Sequence, residues 1–444
     1  MSTALDITVL NHAAVVLEHG PVRLLLDPWL DGHAFSGGWE LARETPDTAW
    51  DAMANATHLW VSHWHSDHLH PATLTQLAAR NPDVRVLAND SHNFTMVDRF
   101  RALGFTDVRA LGERTRWRDE HIDAVRFPTA AIDNMLLVEL GPFRVLVYND
   151  CNLPLGAVRR LRERLGRVDV VLLNYNHAGR LFTDDPAQAV MDQLWGAMVQ
   201  NVDALGSSVA IPYASYHRYR SRFALEQNES LIDHASAEAR CAHDARFAHG
   251  SVGRMLRVDR PGSPAHVIRE STTTATEPSV LDPGAPLSQD DVLAVTRRYL
   301  DRLRRDWWGA TAFVGTVRLG LEDLDVGLEL DLRTGDARLV APRPCHARTD
   351  SPILVRWMEK PFGDDTFLAG AHFALGEDSN GGRVDPAPLQ RLLLLSVLSS
   401  NHLGPSRAWR LPLESAGRAF LWARREEILA TALGRRFRAG ELRS

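Results

Sequence analysis

The sequence predicts an α/β fold: a layered sandwich followed by a smaller α+β domain. Short apolar runs near the start, ITVL, AVVLEHG and VRLLLD, are separated by tight turns, which is typical of strands joined as hairpins. Further along, strand-like runs alternate with helical patterns. A chain of 444 residues is also too long for one ordinary core, so we expect at least two domains.

The first domain is predicted to cover residues 1–257. THLWVS is expected to form a strand, and Pro71 opens a helical stretch at the position where proline is tolerated. A longer amphipathic helix is predicted over about 185–204. The remaining runs are predicted as the strands VRVLA, DAVRF, MLLVEL, RVLVYND, VDVVLLNYN and SSVAIPY, with LGAVRRLRERLG as a helix.

Residues 258–287 are rich in proline, serine and threonine and have few periodic apolar residues, so we predict a linker there. Residues 288–444 are predicted to form the α+β domain. Ser288 is an expected helix N-cap with acidic residues after it. The pattern then predicts a helix in VLAVTRRYLDRLRRDWW, strands in TAFVGTVRLGL and DVGLELDLRTGDARLVA, and helices in LQRLLLLSVLSSNHL and AGRAFLWARREEILATAL.

Composition and charge narrow the class of function. The formal charge of −6 gives no electrostatic reason to expect nucleic acid or an anionic membrane as partner. We read no signal peptide in MSTALDITVLNH, and no apolar run approaches the ~20 residues of a membrane helix. Three widely spaced cysteines (Cys151, Cys241 and Cys345) fit a reducing cytoplasm and cannot ligate a Rieske-type iron–sulfur cluster. We expect a cytoplasmic protein with a small-molecule substrate.

The stretch VSHWHSDHLH contains four histidines and one aspartate. His63 and His65 are two residues apart, so in extended chain their rings point to the same side. Asp67 and His68 follow in a bend and can serve a second ion nearby. The string therefore predicts two neighbouring metal ions with nitrogen and oxygen ligands, which admits zinc, iron or manganese. His70 is expected to be a bystander at the start of the helix.

HWHSDH after THLWVS, together with LNHAAVVLEHGPVRLLLDPW upstream, resembles the metallo-β-lactamase fold superfamily over residues 1 to about 250. The resemblance implies an αββα sandwich. DPWLDGHAFSGGW, DNMLLVELGPFRVLVYNDCNLP, LLNYNHAG and IPYASYH are similar to the oxygenase-type branch of that superfamily, which is typified by CMP-N-acetylneuraminate hydroxylase. More weakly, DVGLELDLRTGDARL resembles small sterol-carrier-like α+β modules.

The resemblance also implies a set of metal ligands, with Asp150 as the carboxylate that bridges the two ions. Hydrolases of the superfamily have a third histidine a few residues before the strand that reads MLLVEL here, whereas FPTAAIDNMLLVEL has none. Asp133 is the expected replacement, with His92 and His177 as alternatives, and a carboxylate there suits an iron pair. The remaining implied ligands are His63, His65, Asp67, His68 and His217.

Residues around the ligands have expected roles as well. Asp27 ends a strand beside the site, where it can accept the free N–H of a metal-bound imidazole, and His12 has the same position at a neighbouring strand end. In YHRYRSRF, Arg218, Arg220 and Arg222 fall on one side of an extended chain and could bind a phosphate or carboxylate of the substrate. A solvated basic edge is the alternative for these arginines.

The preferred hypothesis is a non-haem diiron oxygenase that oxidises or hydroxylates a polar small metabolite with O2, with Asp67 and Asp150 as catalytic residues. Because the chain lacks cysteines for a Rieske cluster, the electrons would come from a separate donor. The alternative is a zinc-dependent hydrolase of a phosphodiester, lactone or amide substrate, in which the pKa of a bound water falls towards ~7 and Asp67 orients that water.

Overall fold

The computed structural model describes residues 3–90, 96–112, 114–129, 133–400 and 404–408. The first part of the chain is built mainly from strands. In chain order these are β1 (Leu5–Asn11), β2 (Ala14–His19), β3 (Val22–Leu26), β4 (His33–Ala34), β5 (Trp39–Leu41), β6 (His58–Trp60), β7 (Arg85–Asn89), β8 (Val108–Leu111), β9 (Arg116–Arg118), β10 (Ile122–Pro128), β11 (Asn134–Leu140), β12 (Phe143–Asn149), β13 (Val170–Asn174), β14 (Val209–Tyr213), β15 (His217–Tyr219), β16 (Arg254–Val258) and β17 (His266–Glu270). Its helices are α1 (Asp47–Ala54), α2 (Pro71–Arg80), α3 (Val97–Ala102), α4 (Leu155–Leu165), α5 (Ala187–Leu205) and α6 (His234–Cys241).

The second part of the chain contains five strands and five helices among its described residues. They are α7 (Gln289–Asp306), β18 (Thr316–Leu321), β19 (Val326–Asp331), β20 (Asp336–Val340), β21 (Ala347–Thr349), α8 (Ser351–Glu359), α9 (Gly363–Ala369), β22 (Ala374–Leu375), α10 (Ala387–Ser400) and α11 (Pro405–Ala408). Within the described ranges, no helix combines the length and the apolar character needed to cross a bilayer.

Two large sheets form the first domain, and their strand orders are β17-β16-β1-β2-β3-β6-β7-β8 and β14-β13-β12-β11-β10-β9. Strand alternation explains the layers. Leu24 and Leu26 of β3 point into the core between the two sheets, together with Leu136 and Val145 of the other sheet. Leu25 points the opposite way and packs under α1, α2 and α3. The outer face of the second sheet is covered by α4, α5 and α6. The αββα sandwich predicted from the sequence is confirmed.

The direction of the strands decides where polar residues gather. β1, β2 and β3 are antiparallel, whereas β3, β6, β7 and β8 run parallel to one another. In the second sheet, β12, β13 and β14 are also parallel. The carboxyl ends of parallel strands lie at one edge of a sheet, where ligand-binding residues collect in open α/β folds. The residues that follow β3, β6 and β12 therefore come close to one another.

A five-stranded sheet, β20-β19-β18-β21-β22, forms the base of the smaller α+β domain. Its core contains Tyr299 from α7, Leu319 from β18, Trp357 from α8 and Leu392 from α10. Helix α7 begins as expected, because the side chain of its N-cap Ser288 accepts a hydrogen bond from the backbone of Asp291. The predicted helix in AGRAFLWARREEILATAL lies outside the described residues.

The structure differs from the predicted linker over residues 258–287. Residues 266–270 form β17, which pairs with β16 at the edge of the first sheet. All five side chains of β17 are exposed, so the strand has no apolar alternation from which it could be recognised. The segment after β17 is also held down, because the Thr276 hydroxyl donates to the Leu41 carbonyl and the Ser279 backbone N–H donates to Glu40.

Candidate metal centre

The histidine-rich string forms a turn between β6 and α2 that is fixed at both ends. At its start, the Ser62 N–H donates to Oδ1 of Asp27 over 2.6 Å, and the Ser62 carbonyl accepts from the side chains of Asn89 and Asn134, each at 2.8 Å. At its end, His70 is the N-cap of α2, and its side chain accepts from the backbone N–H of Thr73. The side chains between these anchors are directed at the carboxyl edge of the sheets.

His63, His65 and Asp133 form the first group of ligand atoms, and these atoms lie within 4.8 Å of one another. Nε2 of His63 lies 2.9 Å from Nδ1 of His65 and 3.8 Å from Oδ1 of Asp133. The other nitrogen of His63 lies 2.9 Å from the Ser62 hydroxyl. The structure therefore brings Asp133 next to His63 and His65.

Two further groups overlap at His68. Its Nε2 lies 3.2 Å from Oδ2 of Asp67 and 3.2 Å from Oδ2 of Asp150. One group contains His12, Asp67 and His68, and the other contains His63, His68 and Asp150, again within 4.8 Å. Because His63 and His68 link these three groups, their ligand atoms form one continuous cluster.

His217 lies beside this cluster and is not among the groups with ligand atoms within 4.8 Å. Its ring is 5.5 Å from the ring of His12 and is stacked on Trp39 at 3.7 Å between ring centres. His217 is buried, and neither ring nitrogen has a hydrogen-bond partner in the part of the chain that the structure describes. A buried imidazole in that condition has lone-pair capacity to offer to an ion.

Asp27 and His12 take different positions relative to the cluster. Oδ2 of Asp27 lies 3.1 Å from Nδ1 of His68, behind the ring, which is the position expected of a carboxylate that orients an imidazole ligand. His12 instead places Nε2 at 3.4 Å from Oδ2 of Asp67, among the ligand atoms themselves. His12 was predicted to support a ligand in the same way as Asp27, whereas the structure places it among the possible ligand atoms.

Two supporting polar residues were not predicted from the sequence. The Asn149 amide donates to Oδ2 of Asp27 over 2.7 Å and to the Ser62 hydroxyl over 2.6 Å. The Asn174 amide donates to Oδ1 of Asp150 over 3.1 Å. The available signal was their position, since Asn149 and Asn174 are each the last residue of a strand that ends at this edge.

Burial favours the neutral form of most of these imidazoles, which is the form that binds metals. Burial lowers the pKa of His65 to about 4 and lowers the pKa values of His63 and His217 well below the usual range. Burial also acts to lower the pKa of His68, but the carboxylates of Asp67, Asp27 and Asp150 outweigh it and raise that pKa well above normal. Conversely, His68 and His12 hold the pKa of Asp67 well below its ordinary value despite burial.

The donor atoms fit a metal centre. Among the described residues, Nε2 of His65 and Oδ1 of Asp67 are buried without a hydrogen-bond partner. Such atoms are costly to leave unpaired, and coordination to an ion satisfies them. The set contains imidazole nitrogen and carboxylate oxygen and no thiolate, which suits zinc, iron or manganese.

The remaining predicted site residues lie elsewhere. The Arg218 guanidinium bonds to Thr276 and lies 3.2 Å from Glu40. The Arg220 guanidinium donates to the Ser279 hydroxyl and to the Gly37 carbonyl. Both groups thus hold the segment after β17 against β5, and their role in substrate binding stays a prediction. His177 contacts Ser230 and Tyr219 rather than the cluster, and His92 lies outside the described residues.

Comparison with known proteins agrees with this fold. Residues 6–213 match the family described as the beta-lactamase superfamily domain. The cytidine monophosphate-N-acetylneuraminic acid hydroxylase of Mus musculus is 32% identical over 169 residues, which cover 36% of this chain and 28% of that protein. The protein of the same name from Danio rerio is 26% identical over 227 residues, which cover 48% of this chain and 38% of that protein. The matches thus span about a third of the length of these relatives.

Among solved structures, the diiron β-hydroxylase CmlA from Streptomyces venezuelae superposes with a TM-score of 0.38 at 18% identity, and the match covers 58% of this chain and 54% of that one. A possible metal-dependent hydrolase from Veillonella parvula gives a TM-score of 0.42 at 15% identity and covers 57% of this chain and 98% of that one.

Proposed function

Because residues 6–213 form a domain of the β-lactamase superfamily, we propose that this chain is a dinuclear-metal enzyme, and specifically a non-haem diiron oxygenase. The observation that carries the proposal is the carboxylate of Asp133 beside His63 and His65. Hydrolases of the superfamily have a third imidazole at that place. A carboxylate is a harder, anionic donor, which favours iron over zinc and stabilises its higher oxidation states.

The charges near the histidines support two ions rather than one. Four carboxylates, those of Asp27, Asp67, Asp133 and Asp150, lie within 4 Å of a cluster histidine. Two divalent cations would balance four formal negative charges in a site where burial makes uncompensated charge expensive. His63, His65 and Asp133 would hold one ion. His12, Asp67, His68 and His217 would hold the other, and Asp150 would be the ligand available to both.

When bound, iron would be the group that binds O2 and passes electrons to it. In the proposed reaction one oxygen atom enters a C–H bond of the substrate and the other leaves as water, which consumes two electrons and two protons for each O2. Two side chains hold the ligands in position. Asp27 lies behind His68 and orients its ring, and Asn174 donates to one oxygen of Asp150. The other oxygen of Asp150 then remains directed at His68.

The two electrons require a separate donor. Cys151, Cys241 and Cys345 are all free and buried, and an iron–sulfur cluster needs at least two cysteine ligands close together. We therefore propose that a reductase or a small reductant serves this chain. The substrate is proposed to be a polar small molecule, in keeping with the hydroxylase names of the Mus musculus and Danio rerio relatives.

A zinc-dependent hydrolase is the second candidate, and one observation favours it. Oδ1 of Asp67 is buried without a hydrogen-bond partner among the described residues, next to His12 and His68. It could accept a proton from an attacking water and orient it towards a phosphodiester, lactone or amide. Zinc would supply Lewis acidity in that case.

Metal analysis and oxygen uptake test the two candidates together. The protein is purified from cells supplied with equal iron and zinc, and both metals are measured per chain. The purified protein is then reduced chemically and mixed with O2. An oxygenase is expected to retain about two iron ions and to consume O2 in proportion to the electrons supplied. Stoichiometric zinc without iron, and no uptake of O2, would contradict the diiron proposal and favour the hydrolase.

A further inference from the structure

Trp39 is the side chain that fixes the ring of His217. Strand β5 pairs with β15 so that Trp39 lies directly opposite Tyr219. His217 is two residues before Tyr219, on the same face, and is the diagonal neighbour of Trp39. The two rings are stacked at 3.7 Å with an angle of 12° between their planes. No described residue bonds either nitrogen of His217, and the stack on Trp39 is closer than its edge contacts with the rings of His12 and Tyr219.

Trp39 is in turn held by the smaller α+β domain. Its indole Nε1–H donates to the carbonyl of Ala369, at the end of α9, over 2.9 Å in a buried bond. Three residues further on, Nε2 of His372 lies 2.7 Å from the carbonyl of Phe35. The backbones also touch, because a Cβ on Gly38 would lie only 2.8 Å from Cα of Gly370. We name residues 368–372 the docking turn.

The docking turn also contacts the segment that carries His177. The Leu368 carbonyl accepts the backbone N–H of Arg180 over 3.1 Å, and Gly179 approaches that carbonyl so closely that a Cβ would lie 2.7 Å away. The turn is thus packed between the chain before β5 and the chain after β13. A shift of the backbone of this turn would therefore move the Ala369 carbonyl that accepts from the indole of Trp39.

We propose that Trp39 is a positioning residue for the ligand His217, and that the docking turn of the α+β domain holds Trp39 in place, so that this domain completes the second metal site. The inference rests on the proposed dinuclear centre. It assigns the α+β domain a role in metal binding: loosening the docking turn releases His217 and weakens one ion, while the ion held by His63, His65 and Asp133 is retained.

The test compares metal binding by the wild type with that of three variants. Trp39→Leu removes the stack, and Trp39→Phe keeps a smaller ring but loses the bond to Ala369. Gly38→Ala pushes against Gly370 from outside the ligand set. Each protein is loaded with Co²⁺, the affinity of each ion is measured by competition with a chelator, and the visible absorption bands of Co²⁺ report the ligand geometry.

We expect Trp39→Leu to weaken one of two ions by about tenfold or more, as is usual when the support of a ligand is removed, and Trp39→Phe and Gly38→Ala to weaken the same ion less. Trp307→Phe is the control for the tryptophan variants. Trp307 lies at the end of α7, and its indole also donates to a backbone carbonyl, that of Leu395 in α10. Gly196→Ala in α5, where nothing lies within 4 Å, controls for the added methyl. Both controls should retain two ions.

The outcomes separate this inference from the proposed function. If the wild type holds two ions and the folded variants hold both with unchanged affinity and spectrum, the positioning role of Trp39 is overturned and the dinuclear centre stands. If the wild type itself retains fewer than two ions, the dinuclear proposal fails first. Should Trp39→Leu not fold, Trp39→Phe and Gly38→Ala still decide the question.

Discussion

Nδ1 of His68 lies 3.1 Å from Oδ2 of Asp27, and both side chains are fully buried. The Asp27 carboxylate lies behind the ring, so a metal-bound His68 would present its other nitrogen, Nε2, which lies 3.2 Å from both Asp67 and Asp150. Asp27 is itself fixed, because its other oxygen accepts the Ser62 N–H over 2.6 Å. One carboxylate thus sets both the orientation of a ligand and the start of the ligand-bearing turn.

Asp27→Asn should weaken metal binding and also lower the free energy of unfolding, because the new Nδ2 would face the donating amide of Asn149 where Oδ2 now accepts. The amide keeps the shape and can still accept from Ser62, but it no longer attracts the Nδ1–H of His68. We expect a loss of about 10- to 100-fold in affinity for the ion held by His68, measured by chelator competition. Asp169→Asn is the control, since Asp169 is also buried and accepts a backbone N–H, that of Arg144, at the other end of the strands. Equal affinities in the two variants would contradict the role of Asp27.

Asp133→His should shift the metal preference from iron towards zinc. The change places a third imidazole beside His63 and His65, which is the ligand type that zinc favours. We expect the ratio of zinc to iron in protein from cells supplied with both metals to rise by about tenfold, and O2 uptake to fall. Asp133→Asn removes the charge at constant shape and should lower the iron content without a gain in zinc. An unchanged ratio in Asp133→His would contradict the role of the carboxylate in metal choice.

The sequence predicted the parts of the site that are local. His63, His65, Asp67 and His68 lie in one turn, and a helix with proline at its first position follows a short apolar strand. The layered fold was predictable as well, because buried strands and amphipathic helices have different periods. Asp150 and His217 could be identified only through the resemblance, since they come from strands far away in the chain.

The position of the His12 side chain depends on a positive φ angle that could not be predicted from the sequence. His12 follows β1 with φ of 35°, and Asp27, Asn149 and Ala214 have φ of 42°, 55° and 51° at the ends of other strands at this edge. Such values are unfavourable for residues other than glycine and persist only where the surroundings impose them. The direction in which these side chains leave their strands was therefore not predictable from the pattern of the strands.

For the arginines after His217, the sequence predicted the direction of the side chains but not their partners. Alternation in YHRYRSRF correctly predicts that Arg218 and Arg220 share a side of the chain, but the pattern does not say what lies on that side. The acceptors are Thr276 and Ser279, which belong to a segment that folds back onto β5. A pairing between residues almost 60 positions apart leaves no periodic signal in the sequence.

His372→Gln should make the protein less sensitive to mild acid. Burial lowers the pKa of His372 to about 4 from an ordinary value of 6.5. Between these values the unfolded chain binds a proton that the folded chain excludes, so the free energy of unfolding falls as the pH falls through this window and is little affected above it. Glutamine does not titrate and can still donate to the Phe35 carbonyl.

Between pH 7 and pH 5 we expect the wild type to lose about 2 kcal/mol more than His372→Gln. Urea denaturation of both proteins at the two pH values, with the same metal content, measures this difference. If both proteins lose the same free energy of unfolding, His372 does not remain neutral in the folded state.

Ala214→Gly should cost little although Ala214 is buried. Its φ of 51° is unfavourable for alanine, and relief of that strain by glycine, about 1 kcal/mol, offsets the loss of one buried methyl group. Ala210 is the matched control, because it is buried within β14 and pairs with Val171 of β13. We expect Ala214→Gly to change the free energy of unfolding by less than about 0.5 kcal/mol and Ala210→Gly to lower it by about 1–2 kcal/mol. Equal losses in the two variants would show that the backbone at Ala214 is not strained.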